Sequence, residues 1–200
     1  MGTRALFRTP QVDRENVLQN LTDDELLERI QHGDANAFTQ LYEQYKTRLY
    51  SYCLRLLRNR QNAEDAVQET FVKVYAGCNS VHSSQSLRGW IFTIARNEAF
   101  GILRKTKIDF VEEDGQVWES ETPLELVLRS EVKDIVQHFL GELKPEYREV
   151  LILREYENLP YGEIASITSS TESGVKSRLF KARNALTKKL EPYFRERKFL

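Results

Sequence analysis

Between Phe38 and Leu56 the residues Phe38, Leu41, Tyr45, Leu49, Tyr52 and Leu56 recur every third or fourth position, which places them on one face of a long helix. No convincing pair of strands competes with this period, so the chain is predicted to be all-α. Thr22-Asp23-Asp24-Glu25 reads as a capping box, with a Thr hydroxyl for an orphan amide and a Glu three residues on to reach back. Leu26, Leu27 and Ile30 then form a short apolar stripe that Gly33 can end. A third helix is expected near Asn62, with Ala63, Val67, Phe71 and Val74 inward. A fourth is expected from about Leu87 to Lys105, with Trp90, Ile91, Ile94, Ala95 and Leu103 as its buried set. The stretch from Gly77 to Ser86 is small, polar and without period, so it reads as a loop.

The pattern lapses from Ile108 to Thr122, where acids, Gly115 and the following Pro123 mark a linker, although Phe110, Val111, Val117 and Trp118 are apolar. It resumes at Leu124 and runs through Val127, Val132, Ile135, Val136, Phe139 and Leu143. Pro145 suits a first helical turn, where no amide donor is needed, and Val150, Leu151, Leu153 and Tyr156 follow. The expected organisation is an arm over residues 1–20, a helical bundle over 21–106, an acidic linker over 107–123 and a second bundle over 124–195.

Charge sharpens this division. The formal net charge is −1, but its distribution is uneven. Leu87–Lys107 carries five basic residues against one acid, Thr106–Val127 seven acids and one Lys, and Ser170–Leu200 nine basic residues and three acids. Local patches, not the total, decide phosphate binding. No apolar run approaches the roughly 20 residues a membrane span needs, and Met1–Asn20 has no apolar secretory core, so a cytoplasmic protein without membrane insertion is expected. Cys53 and Cys78 form no CxxC pair and the three histidines lie far apart in sequence, which gives a metal site or disulfide framework little support. No Gly-rich phosphate loop or activated nucleophile appears, so neither a cofactor nor enzymatic activity is expected.

The sharpest geometry lies near the C-terminus. A short helix from Tyr161 to Ile167, the polar turn Thr168-Ser169-Ser170 and a long helix from about Thr171 to Leu190 have helix-turn-helix spacing. Ile164, Ala165 and Ile167 would pack against Val175, Leu179, Ala182 and Leu186. That leaves Ser173, Lys176, Ser177, Phe180, Lys181 and Asn184 outside, suited to a major groove, with Arg178 and Arg183 at the margins for phosphate.

Three runs, Glu146–Arg154, Leu159–Ala165 and Gly174–Arg183, resemble the region 4 domain of extracytoplasmic-function (ECF) sigma factors. Gly33-Asp34, Ala37-Phe38, Leu41-Tyr42, Tyr45, Ala63–Phe71 and Trp90–Asn97 resemble their region 2 domain in the same order. The resemblance spans about residues 24–190 and implies a factor that binds core RNA polymerase and directs promoter recognition, melting and initiation. Glu64, Asp65, Gln68 and Glu69 then fall where the family docks on the clamp helices of the largest polymerase subunit. Their spacing adds to this, since Asp65, Gln68 and Glu69 are expected on a face opposite Val67 and Phe71.

The same likeness puts Asn97 and Arg96 against the melted −10 element, and the preceding loop, with Asn79, Ser80 and His82, where a flipped base is captured. Ser173, Lys176, Ser177, Phe180 and Lys181 would read the −35 element as duplex, with Arg154 and Arg178 on phosphate. Class membership also implies an anti-sigma partner. Gly101 departs from the Asp often found four residues after the Asn, and Thr168-Ser169-Ser170 departs from the usual apolar–Gly/Asn–apolar turn. Two other binding functions share parts of the pattern: a sigma-like adaptor that binds an anti-sigma factor without DNA, and a dimeric helix-turn-helix regulator that binds its operator alone.

Overall fold

The computed structural model describes residues 21–81, 86–109 and 127–196. The arm 1–20, His82 and its neighbours to Gln85, the acidic linker from residue 110 to 123 and residues 124–126 of the expected second bundle lie outside the described residues. Among those described there are eight α-helices and no strand: α1 Asp23–Gln31, α2 Ala35–Leu57, α3 Arg60–Gly77, α4 Leu87–Asp109, α5 Val127–Gly141, α6 Pro145–Leu151, α7 Tyr161–Ile167 and α8 Glu172–Glu196.

Local chemistry sets the helix starts. Thr22 caps α1 in a reciprocal box, its hydroxyl accepting from the Glu25 amide at 3.3 Å while the Glu25 carboxylate accepts from the Thr22 amide at 2.8 Å. Asp34 caps α2 by accepting from the Asn36 amide at 2.9 Å and the Ala37 amide at 3.3 Å. Asn59 caps α3 through the Asn62 amide at 2.9 Å, so this helix begins two residues before the expected Asn62. Helix α4 runs to Asp109, past the expected end at Lys105. Helix α6 continues into a π-helical turn, Ile152–Tyr156, closed by the Glu157 amide donating to the Ile152 carbonyl at 3.2 Å.

The apolar stripe of α2 packs as its period demands: Leu41, Tyr45, Leu49, Tyr52 and Leu56 are at most 1 % exposed, and only Phe38 is half-buried. Helix α4 differs in one respect. Ile91 and Ala95 are buried, Trp90, Ile94 and Leu103 only partly, and the fully buried aromatic is Phe92, edge-on to Tyr52 at 5.5 Å. Trp90 lies against Gly77, where an added Cβ would meet the indole at 3.0 Å, so a larger residue there would have to displace the ring. Both cysteines are buried free thiols.

The two halves are in contact, not held apart by a tether. Helices α2 and α4 of the first half meet α6, the π turn and α7 of the second. Arg148 lies at the centre of this seam, 7 % exposed. Its guanidinium donates to the carbonyls of Leu140 at 3.2 Å, Leu143 at 3.1 Å, Gly141, and, across the seam, Leu56 at 2.5 Å. These carbonyls lie at or just past the ends of α5 and α2, where helix geometry leaves acceptors without partners. One cation thus satisfies the ends of two helices. Burial, with Arg58 close by, lowers the Arg148 pKa to about 10.

Candidate nucleic-acid face and docking groove

The turn before α8 supplies the geometry that the sequence seemed to lack. The Ser169 amide donates to the Ser166 carbonyl at 3.3 Å and the Ser170 amide to the Ala165 carbonyl at 2.8 Å, the paired bonds of a Schellman close. Ser169 takes the left-handed position, φ 50°, that Gly or Asn usually fills. The Thr171 hydroxyl then caps α8 by accepting from the Gly174 amide at 3.1 Å. A Cβ on Gly174 would meet the Ser170 hydroxyl at 2.6 Å, a contact that rotation of that side chain relieves.

Helix α8 buries Val175, Leu179 and Ala182 against Ile164, Ala165 and Ile167 of α7. The opposite face exposes Ser173, Lys176, Ser177, Phe180, Lys181 and Asn184, with Phe180 67 % exposed. A large apolar ring held this far into solvent on a basic face has no role in the core. Arg178 is half-buried beneath this face. Arg154 is half-buried, donates to the Leu159 carbonyl at 2.8 Å and lies over the Tyr161 ring at 5.0 Å. Lys176 lies over the same ring at 5.7 Å, so Tyr161 ties the start of α7 to the leading turn of α8. Arg183 pairs with Glu155 at 2.7 Å.

On the first half, Asn97 is exposed on α4, and Asn79 and Ser80 are exposed in a short 3-10 turn, Cys78–Ser80, after α3. Gln31 pins that turn by donating to the carbonyls of Cys78 at 2.9 Å and Val81 at 3.0 Å. Ser80 spends its hydroxyl on the Gly77 carbonyl at 2.7 Å. Arg96 is not beside Asn97 on the open face. It points into the seam, 2.7 Å from Glu149 and 4.7 Å over the Phe100 ring, with 21 % of its side chain exposed. Burial raises the Glu149 pKa to about 7 even though Arg96 pulls it down, and the Tyr52 hydroxyl donates to the same carboxylate at 3.3 Å. Gly101 is half-buried and has room for a side chain, since the nearest atom to an added Cβ is the Arg104 guanidinium at an ordinary contact of 3.9 Å.

A groove between α2 and α3 was not foreseen. Its floor is Phe38, Tyr50, Val67 and Phe71, its rim Tyr42, Val72 and Tyr75, and Glu64 and Gln68 line it too. Tyr42 is 40 %, Val72 57 % and Tyr75 67 % exposed. The rings brace one another, with Phe38 edge-on to Tyr75 at 5.0 Å and Tyr42 tilted on Phe71 at 4.6 Å. Gln68 therefore shares a groove with Val67 and Phe71 instead of standing opposite them. Asp65 and Glu69 are exposed but do not line it. The signal available in the sequence was the off-stripe pair Val72 and Tyr75, three apart on the outer face of α3.

The described residues hold no cluster of His, Cys, Asp or Glu able to bind a metal ion, and no helix among them is long and apolar enough to cross a membrane. Comparison with known proteins assigns both halves. Residues 41–107 match the Sigma-70 region 2 family model and residues 133–186 the Sigma-70 region 4 model. The chain is 32 % identical over 186 residues to the RNA polymerase sigma-H factor of Pseudomonas aeruginosa, covering 87 % of this chain and 96 % of that one. It is 32 % identical over 189 residues to the ECF RNA polymerase sigma-E factor of Escherichia coli (strain K12), covering 88 % and 98 %. The chain belongs to the ECF class of RNA polymerase sigma factors.

Among solved structures, the sigma factor RpoE in complex with the anti-sigma factor NepR from Bartonella quintana is similar, with TM-score 0.63 and 27 % identity over 77 % of this chain and 96 % of that one. This sigma factor is thus a transcription initiation factor that associates with RNA polymerase and recognises promoters. The region 2 match contains all of α3 and most of the groove, and the region 4 match contains the exposed start of α8.

Proposed function

We propose that the two exposed features divide the work of initiation. The α2–α3 groove receives the clamp helices of the largest polymerase subunit: its aromatic rim buries apolar surface, and Glu64, Asp65, Gln68 and Glu69 supply polar contacts around it. On the second half, Ser173, Lys176, Ser177, Phe180 and Lys181 of α8 enter the major groove of the −35 element, with Arg178 on phosphate. Asn97 and the turn at Asn79 and Ser80 meet the melted −10 strand, where contacts to unstacked bases offset the cost of opening the duplex. His82 belongs to this site by its place in the sequence. Arg154 acts one step back, by holding Tyr161 and through it Lys176. The setting is the cytoplasm, the chain catalyses no reaction itself, and an anti-sigma factor is its expected regulator, as the complex of the Bartonella relative supports.

The observation that carries this reading is that the exposed apolar rim and the exposed basic face lie on different halves of one chain, so each can be removed alone. Val72→Asp with Tyr75→Ser should abolish co-migration with core polymerase in size exclusion while the circular dichroism of the fold is kept. Lys176→Ala with Lys181→Ala should leave co-migration intact and lower promoter-specific run-off transcription at least tenfold. Loss of both activities in both variants would contradict the division. A sigma-like adaptor would give no promoter-specific transcript even as wild type.

A further inference from the structure

The ion pairs across the seam between the halves all run one way, although Arg148 of the second half is buried there on carbonyls alone. Three cations come from the first half, Arg48 on α2 and Arg88 and Arg96 on α4, and three carboxylates come from the second, Glu157, Glu163 and Glu149. Arg88 grips Glu163 with two parallel bonds, Nε to Oε1 at 3.2 Å and Nη2 to Oε2 at 2.6 Å. Ser86 adds a third bond to Glu163 at 2.8 Å. Arg48 donates to Glu157 at 3.0 Å, and Arg96 lies 2.7 Å from Glu149. The carboxylates are more hidden than their partners, 5 %, 11 % and 1 % exposed against 38 %, 32 % and 21 % for the arginines.

A forked, planar pairing of Arg with two acceptor oxygens is also how Arg holds phosphate. Arg88 and Arg96 are eight residues apart, roughly 12 Å along α4, and Arg48 comes alongside from α2, its guanidinium 5.9 Å from the Phe92 ring of α4. Without the second half, this row would be a polyanion site next to the exposed Asn97.

We propose that Glu149, Glu157 and Glu163 stand in for the phosphates of single-stranded DNA, so that the closed seam and a strand on the α4 arginines exclude each other. The idea rests on the assignment of α4 to the melted strand and adds its regulation. The seam is suited to a switch because ion pairs of this kind hold little net free energy: the desolvation cost of the carboxylates cancels most of the attraction, and opening returns them to water. A strand that supplies phosphates in their place removes what the ion pairs contribute to closure, which leaves the bonds of Arg148 to Leu56 and of Arg58 to Gly141 to hold it. Binding and opening must then be reciprocal: whatever opens the seam strengthens strand binding, and a bound strand opens the seam.

The test uses the full chain, with dyes on cysteines introduced by Thr39→Cys on α2 and Ser166→Cys on α7, both exposed sites, the two native thiols being buried. Energy transfer reports the distance between halves, and the anisotropy of a labelled 12-nucleotide single strand, a probe length of about one duplex turn, reports binding. The combined variant Glu149→Gln, Glu157→Gln, Glu163→Gln keeps side-chain size and should separate the dyes and bind the strand about tenfold more tightly or better. Excess strand should separate the dyes in the wild type. Dyes that stay together in the triple variant would overturn the latch, and dyes that separate with no gain in binding would overturn the competition. Adding Arg88→Ala and Arg96→Ala to the triple variant should erase the gain. A gain that survives would place the strand elsewhere and refute the α4 assignment itself, not the opening of the seam.

Discussion

Glu149 offers a quantitative test of how the two halves are joined. Its carboxyl is 1 % exposed, accepts from Tyr52, faces Arg96 at 2.7 Å and feels Arg178 from α8. Burial outweighs these favourable partners and moves its pKa from 4.5 to about 7. The folded chain therefore holds this proton more tightly than the unfolded chain does. Its contribution to stability is full below about pH 4.5, where both states are protonated, and is lost as pH rises through about 7. The gap between 4.5 and about 7, at about 1.4 kcal/mol per tenfold change in proton affinity, comes to about 3 kcal/mol.

Glu149→Gln removes the titration and keeps an acceptor for Tyr52. The assay is urea unfolding of wild type and variant followed by circular dichroism from about pH 4.5 to 8. The stability of the wild type relative to the variant should fall by on the order of 3 kcal/mol across this range. Other carboxylates cancel in the comparison. Among them is Glu163, which burial pushes up but the hydrogen bonds from Arg88 and Ser86 hold below the ordinary value. Parallel curves for the two proteins would refute the claim that a buried, protonatable carboxyl sits in the seam.

Three further outcomes are expected. Ser169→Gly should raise the melting temperature by a few degrees, because the left-handed backbone at φ 50° costs a residue with a Cβ about 1 kcal/mol; an unchanged or lower melting point in differential scanning calorimetry would contradict the strain. Arg148→Met should destabilise by about 3 kcal/mol or more, since the carbonyls of Leu56 and Leu143 lose the guanidinium outright, while those of Leu140 and Gly141 keep only the Leu143 amide and Arg58; a loss under about 1 kcal/mol in urea titration would show that water replaces it. Phe180→Ala should weaken binding to upstream promoter duplex, measured with assembled holoenzyme, by several-fold while leaving the unfolding midpoint unchanged, because its ring is 67 % exposed; a shifted midpoint would place that ring in the core instead.

Much of this architecture was legible because its determinants are local. The period of α2, the box at Thr22 and the two faces of α8 depend on residues a few positions apart, and each stands as the pattern implied. What escaped depends on distant partners. Arg148 and Glu149 look like surface residues of α6 and become buried only because Leu56, Tyr52 and Arg96, about 50 to 100 positions earlier, close over them. The family likeness puts Arg96 with Asn97 against the melted strand, and its turn toward Glu149 likewise depends on a partner 53 positions away. The groove escaped for a different one: a search for a buried stripe on α3 passes over Val72 and Tyr75, which lie off it. The turn before α8 departs from the family pattern in composition, since it lacks the Gly, yet the backbone of Ser169 adopts the geometry a Gly would supply.

This chain, as a sigma factor, confers start-site choice on RNA polymerase. The direct measurement is transcription in vitro from a library of genomic fragments by core polymerase with and without the chain, with the 5′ ends mapped. Discrete starts that appear only with the chain, sharing one upstream and one downstream sequence element, are the predicted result. An unchanged pattern of ends, from a chain shown to be folded, would contradict the account.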